Sequence, residues 1–185
     1  MTEKAFRFGF LIGRFQFVHE GHARLIESAL ALCEHVLVVV GSAQASGTKR
    51  NPFSAKLRES WLRQRYGDRI HTLLLPDYTN EGDHSFEWGA YLLQAVRHYG
   101  AAQEWPALDL IVEGEESGRD AWFMRELVQE VGRLIVPRPE EAVSATRIRR
   151  AITGQEPYDW QAHVHPALHE AYAGQRDYLI KLEQA

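Results

Sequence analysis

The sequence predicts a doubly wound α/β domain built on a parallel sheet. Three observations carry that prediction. Short apolar runs alternate with longer stretches of helical periodicity, the runs are hydrophobic almost without interruption, and a glycine or proline closes each of them. A strand that is apolar at nearly every position must be covered on both faces, and helices crossing over between parallel strands provide that cover.

Taken in order, strands are expected at 8–12 (FGFLI), 35–41 (HVLVVVG), 70–76 (IHTLLLP), 108–114 (LDLIVEG) and 133–137 (RLIVP). Helices are expected between them, near 21–33, 54–66, 85–99 and 119–131. In the first, Ala23, Ile26, Ala29, Leu30 and Cys33 recur at helical spacing, which reads Cys33 as part of a buried helical stripe. After Pro139 the pattern changes. SATRIRRAITG (144–154) begins with a good N-cap and stops at glycine, so it reads as a short helix. A last helical stretch is expected from Pro166, a favourable first-turn residue, toward Leu182. One domain is expected over 1–185, with the α/β core at 1–139 and C-terminal helices at 140–185.

Composition excludes several classes. The chain has 185 residues, 45% of them hydrophobic, enough to bury a sizeable core. Its 21 basic against 25 acidic side chains give a net charge of -4. That disfavours a surface dedicated to nucleic acid, although a local basic pocket is compatible with it. A single cysteine excludes an internal disulfide framework and a cysteine-rich zinc site, and fits a reducing compartment. No signal-peptide pattern opens the chain and no apolar run is long enough to span a bilayer, so a cytoplasmic protein is expected. Self-association is left open.

The chemistry concentrates at GRFQFVHEGH (13–22), which leaves the first strand and enters the first helix. In an open parallel sheet, ligands bind beyond the carboxyl ends of the strands, where this segment lies. Gly13 lets backbone approach a ligand, and Gly21 leaves the helix N-terminus uncovered for an anion. His19 and His22 stand one helical turn apart and can face one phosphate. Arg14 adds a delocalised charge suited to phosphate oxygens. A metal site is the weaker reading, because no further ligand is set out as in the H-E-x-x-H pattern. Ordinary surface or capping roles would suit either histidine alone, but not the whole order of strand, Gly-Arg, His, Gly, His.

That segment resembles the GRFQPxHxGH signature of the nucleotidylyltransferase superfamily, in the form carried by nicotinamide-mononucleotide (NMN) adenylyltransferases. Phe17-Val18 stands where Pro-Phe is usual. GSAQASGTKRNPFS (41–54) resembles the family's turn after the second strand, and VSATRIRR (143–150) its late SxTxxR signature. The three blocks occur in the family's order. The nearest likeness is to the archaeal type and to the adenylyltransferase half of bifunctional bacterial proteins that also carry a Nudix hydrolase; this chain is too short for a Nudix half to be expected. The resemblance implies a single nucleotidylyltransferase domain that joins NMN and ATP to give NAD and pyrophosphate, with Mg2+ held mainly by substrate phosphates. It implies His19, His22 and Arg149 as catalytic groups. Gly13, Arg14, Phe15, Gln16, Gly21, Arg50, Ser144 and Thr146 would hold the ATP phosphates, and Gly41, Ser42 and Trp88 the mononucleotide.

Some assignments have competing readings. Trp88 matches a tryptophan that packs near the pyridine ring in the archaeal type, but its helix periodicity suits a core position equally. Arg147 and Arg150 read as a solvated helix face. HVHPALHE (163–170) suggests metal by its three histidines, yet Pro166 favours a plain helix start. The stretch from Glu113 to Leu127 departs from the family pattern, so the resemblance does not say how the base is held. The acceptor could be nicotinate mononucleotide, or both mononucleotides. Transferases acting on phosphopantetheine or using CTP share the histidine pair but usually open with GTFDP-like or GTYD-like stretches. A sensor that binds NAD or ATP without turnover is the alternative from another class; no helix-turn-helix extension accompanies it.

Overall fold

A computed structural model describes residues 3–115, 119–137 and 143–184. Five parallel strands form one sheet in the order β3-β2-β1-β4-β5. They are β1 (Phe6–Gly13), β2 (Cys33–Val40), β3 (His71–Leu74), β4 (Leu110–Gly114) and β5 (Gly132–Val136). From the central β1 the chain winds outward in one direction through β2 and β3, then in the other through β4 and β5. The strand order therefore reverses between β1 and β4.

Two apolar layers cover the sheet, as the uninterrupted strand hydrophobicity requires. On one face α1 (Glu20–Leu32), α2 (Ala55–Tyr66) and α5 (Ala145–Thr153) place Ile26, Trp61, Leu62, Ile148 and Ile152 against Leu11, Val38, Val40 and Val112. On the other, α3 (Phe86–Ala102) places Trp88, Leu92, Leu93 and Val96 against Phe8, Phe10, Val39 and Ile111. No helix among the described residues is long and apolar enough to cross a membrane.

The pairing along β1 opens a crevice. Against β2 it runs in register from Phe6↔Cys33 to Gly13↔Val40. Against β4 only Gly9↔Leu110 and Phe10↔Ile111 are paired. Beyond Phe10 the two strands part at their carboxyl ends, at the switch point where open α/β sheets bind ligands.

Three expectations need correction. Cys33 is the first residue of β2, not the end of α1; β-branched residues follow it, and strand pairing overrides the helical spacing. Its thiol is buried and pushed up to about 12, so it is inert. The helix expected near 119–131 is only a 3-10 turn (Arg119–Trp122) followed by the short α4 (Arg125–Val128). That break lets Trp122 and Phe123 fold under α3. At Gly89 of α3 a Cβ would run into the Trp122 carbonyl oxygen, so glycine permits this approach. The last helical stretch is a 3-10 turn at Pro166–Leu168, then α6 (His169–Ala173) and α7 (Arg176–Gln184), separated at Gly174.

Candidate active site

A cleft of about 680 Å³ lies at the carboxyl end of β1. Its floor is Ile12, Gly13, Arg14, Phe15 and Gln16. One wall is the N-terminus of α1, with His19, Gly21 and His22. The other is the N-terminus of α5, with Ser144, Ala145, Thr146 and Arg149, and Lys49 and Arg50 reach in from the loop after β2. The structure thus brings together all three expected catalytic residues and all eight expected phosphate-binding residues.

The histidines are set by the first turn of α1. His19 is its N-cap, in extended backbone. Its N–H donates to Nδ1 of His22 at 3.4 Å, which leaves the ring proton of a neutral His22 on Nε2 as a donor. The two imidazoles stack, with centroids 3.9 Å apart, and His22 also lies against Phe15 at 4.7 Å. Gly21 makes room for this: a Cβ there would lie 3.1 Å from the His19 ring. Nδ1 of His19 is buried with no hydrogen-bond partner among the described residues.

Burial, followed by the nearby His163, pushes the His19 imidazole down to about 4 from its ordinary 6.5. His19 is therefore neutral at neutral pH. The sign of the pH effect follows. Between pH 6.5 and about 4 the unfolded chain holds this proton and the folded chain does not, so stability is present above the window and lost as pH falls through it. The melting temperature should fall more steeply across that range in the wild type than in a His19→Asn variant. Parallel curves would place the acid sensitivity elsewhere.

Arg149 leaves α5 so that its guanidinium donates to the Gln16 carbonyl (3.3 Å) and the Thr146 hydroxyl (3.2 Å). Burial, and then the neighbouring Arg14, lower its pKa. Two guanidiniums held in one cleft create a positive potential suited to a polyanion. Ser144 caps α5 by accepting from the Arg147 N–H at 3.2 Å, which leaves the other first-turn amides to the cleft.

The remaining expectations fare differently. Gly41 and Ser42 do not line the cleft. Gly41 donates its N–H to the Gly13 carbonyl at 2.9 Å, and Ser42, at a φ of 48°, donates its hydroxyl to Asp77 at 2.9 Å. They shape the floor from behind. Trp88 does not line it either. It is 6% exposed, packed between Tyr91 and Trp122, with its indole N–H buried and unpartnered among the described residues. Trp88→Ala should lower stability by about 3–5 kcal/mol, readable as a drop in melting temperature; an unchanged melt would remove the packing role. Arg147 is partly exposed but held in place, since its Nε pairs with Glu156 at 2.6 Å and its guanidinium lies over Tyr158. The C-terminal histidines serve structure: His165 caps the 3-10 turn, His169 bonds the Gln161 and Val164 carbonyls, and His163 stacks on Tyr158.

Sequence reasoning missed the residues that hold the floor in place. Arg58 of α2 is fully buried. It donates to the carbonyls of Arg14 (2.6 Å), Gly41 (2.8 Å), Ser42 (3.0 Å) and Ser54 (3.4 Å). The signal was an arginine on the stripe formed by Ala55, Trp61 and Leu62. Tyr172 accepts from the Val18 N–H (2.6 Å) and donates to the Val18 carbonyl (3.1 Å). Phe17, at a φ of 113°, packs on Phe53, Trp61 and Tyr172. Proline cannot adopt that φ, so the departure from the usual signature goes with a different turn.

Residues 10–151 match the profile of the cytidylyltransferase-like family. The chain belongs to this family. Among curated relatives, the nicotinamide-nucleotide adenylyltransferase of Aeropyrum pernix is 32% identical, with 84% of each chain covered. That of Thermococcus kodakarensis is 28% identical over 82% of this chain and 75% of its own. A solved neighbour is the bifunctional NMN adenylyltransferase/ADP ribose pyrophosphatase of Francisella tularensis, complexed with AMP and a manganese ion. It superposes with a TM-score of 0.68 at 20% identity, over 97% of this chain and 49% of its own. The chain thus spans about half the length of that bifunctional protein. In this cytidylyltransferase-like chain the matched region runs from β1 through most of α5, and so contains every residue lining the cleft.

Proposed function

We propose that this protein transfers the adenylyl group of ATP to NMN, forming NAD and pyrophosphate. The observation that carries this reading is the cleft at the β1/β4 switch point, where two imidazoles, three arginines and two helix N-termini converge. The relatives named for this activity support it across most of the chain.

The chemistry asks for such a lining. A phosphate monoester has a second pKa of about 6 and is largely ionised at neutral pH. An NMN phosphate oxygen therefore attacks the α-phosphorus of ATP without a general base. The bond from that phosphorus to the bridging oxygen of the leaving pyrophosphate breaks, and the electron pair stays with the pyrophosphate. The residues act by aligning the two phosphates and by stabilising the charge that develops on the leaving group. His22 donates from Nε2, His19 becomes a better donor as an anion raises its proton affinity, and Arg14, Arg50 and Arg149 supply fixed positive charge. A divalent cation carried in with the nucleotide would add charge neutralisation at the phosphates to that of Arg14, Arg50 and Arg149. No group of three or more carboxylate, imidazole or thiol side chains that could hold a metal ion occurs among the described residues.

Gly41 and Ser42 are assigned to the mononucleotide side, Gly41 through its bond to the Gly13 carbonyl and Ser42 through its bond to Asp77. Trp88, buried and outside the cleft lining, is assigned to the pyridine side only as packing that supports it. The chain is read as one nucleotidylyltransferase domain, with 140–185 completing the core at 1–139, and as a cytoplasmic enzyme of small-molecule substrates. Purified protein with ATP, NMN and Mg2+ should release pyrophosphate and form NAD in equal amounts. Binding of both substrates without turnover under any divalent ion would instead make it a sensor. Faster turnover with nicotinate mononucleotide would reassign the acceptor.

A further inference from the structure

Three loops meet on a single carboxylate beside the cleft. Glu81, in the loop after β3, lies 3.1 Å from Nε of Arg50 and 3.7 Å from Nη1 of Arg14. Its Oε2 also accepts from Nδ2 of Asn51 at 2.7 Å. Asn51 is 3% exposed and fixed on its other side, where Oδ1 accepts from Gln16 Nε2 at 3.4 Å and its backbone N–H donates to Thr48 at 2.9 Å. A buried, doubly held amide therefore orients the Glu81 carboxylate, which distinguishes it from a chance surface pairing. Arg14 and Arg50 line the cleft, whereas Glu81 does not.

We propose that Glu81 is an internal anion that holds Arg14 and Arg50 in the empty site and is displaced from them by the polyphosphate tail of the nucleotide. The proposal rests on the reading that the cleft takes a nucleoside triphosphate. Glu81 is a positioning residue, acting through the two arginines. A polyphosphate presents more charge to each guanidinium than one carboxylate does, so the exchange favours the ligand. Glu81 nonetheless opposes binding in two ways: it competes for the same donors, and its charge repels the incoming oxygens. The arginine side chains are 44% and 59% exposed, so they can turn from the loop into the cleft. Release of Glu81 from both arginines also removes two of the contacts that tie the 77–84 loop to the loops after β1 and β2. The bond from Asn51 and those between Asp77 and Ser42 and Gln44 are left to hold it.

Inorganic tripolyphosphate tests the exchange without the reaction. Calorimetry should show the Glu81→Gln protein, which keeps the bond from Asn51, binding it roughly 3- to 10-fold tighter than the wild type. Glu81→Asp, which keeps the charge, should bind like the wild type. The same Glu81→Gln change should lower KM for ATP and leave KM for NMN unchanged. In the wild-type protein, amide exchange over 77–84 should speed up when tripolyphosphate is added, a readout that does not depend on any variant folding. Equal or weaker binding by Glu81→Gln overturns the proposal, as does slowed or unchanged exchange. Weaker binding only with Mg2+ present would make Glu81 a metal ligand instead. Tighter tripolyphosphate binding with no NAD formed would remove the assigned reaction and leave the displacement intact.

Discussion

Replacing His22 or Arg149 by alanine should lower turnover by about 10²- to 10³-fold, the usual cost of losing one preorganised donor to a transition state. Both groups line the cleft, and the Arg149 guanidinium is already anchored to the Gln16 carbonyl and the Thr146 hydroxyl before any ligand arrives. Charge on the leaving pyrophosphate grows as the bond to the α-phosphorus breaks, so these donors matter more in the transition state than in the bound substrate. kcat should fall with kcat/KM, while KM for ATP changes little. Neither histidine should behave as an essential base, because the attacking phosphate is ionised. Steady-state kinetics with a thermal melt of each variant measures this. A folded His22→Ala enzyme with near-normal turnover would leave the histidine a structural part of the helix entry, bonded to the His19 N–H and packed on His19 and Phe15.

The second large effect is expected at Arg58. Substitution by methionine keeps much of the volume but removes every donor to the Arg14, Gly41, Ser42 and Ser54 carbonyls. Burial and the neighbouring Arg14 push the guanidinium down to about 10, so it is still charged at neutral pH. Breaking such a buried network should cost about 3–5 kcal/mol, and in a domain of this size lower the melting temperature on the order of 10 °C. Lysine should rescue little, since one ammonium cannot reproduce a planar fork spread over several acceptors. A Met variant that melts like the wild type would show that solvent satisfies those carbonyls.

The sheet was legible because its strands are apolar on both faces, a pattern that helix-period segments do not imitate. The cleft was legible because its residues lie in three short blocks, each at a strand end or helix start. What escaped was set by contacts distant in sequence. Cys33 fits a helical stripe, and only pairing with Phe6 makes it a strand residue. Trp122 and Phe123 carry helical spacing, yet packing under α3 breaks the helix around them. Arg58 and Glu81 are charged residues whose partners come from other loops, and no local period encodes that. Gly41 and Ser42 lie outside the cleft lining, because their bonds run to Gly13 and Asp77 instead.

The bond between Tyr172 and Val18 spans 154 positions of the chain. The opening loop, and with it the approach to His19, is clamped by a residue near the other end. During synthesis the sheet can begin to form from β1 and β2, but the loop that follows β1 has no clamp until α6 emerges. The protein therefore acquires its shape before it acquires its chemistry. Non-local closure of this kind is slow compared with helix or hairpin formation, so refolding should proceed in two stages: native-like secondary structure first, substrate binding later.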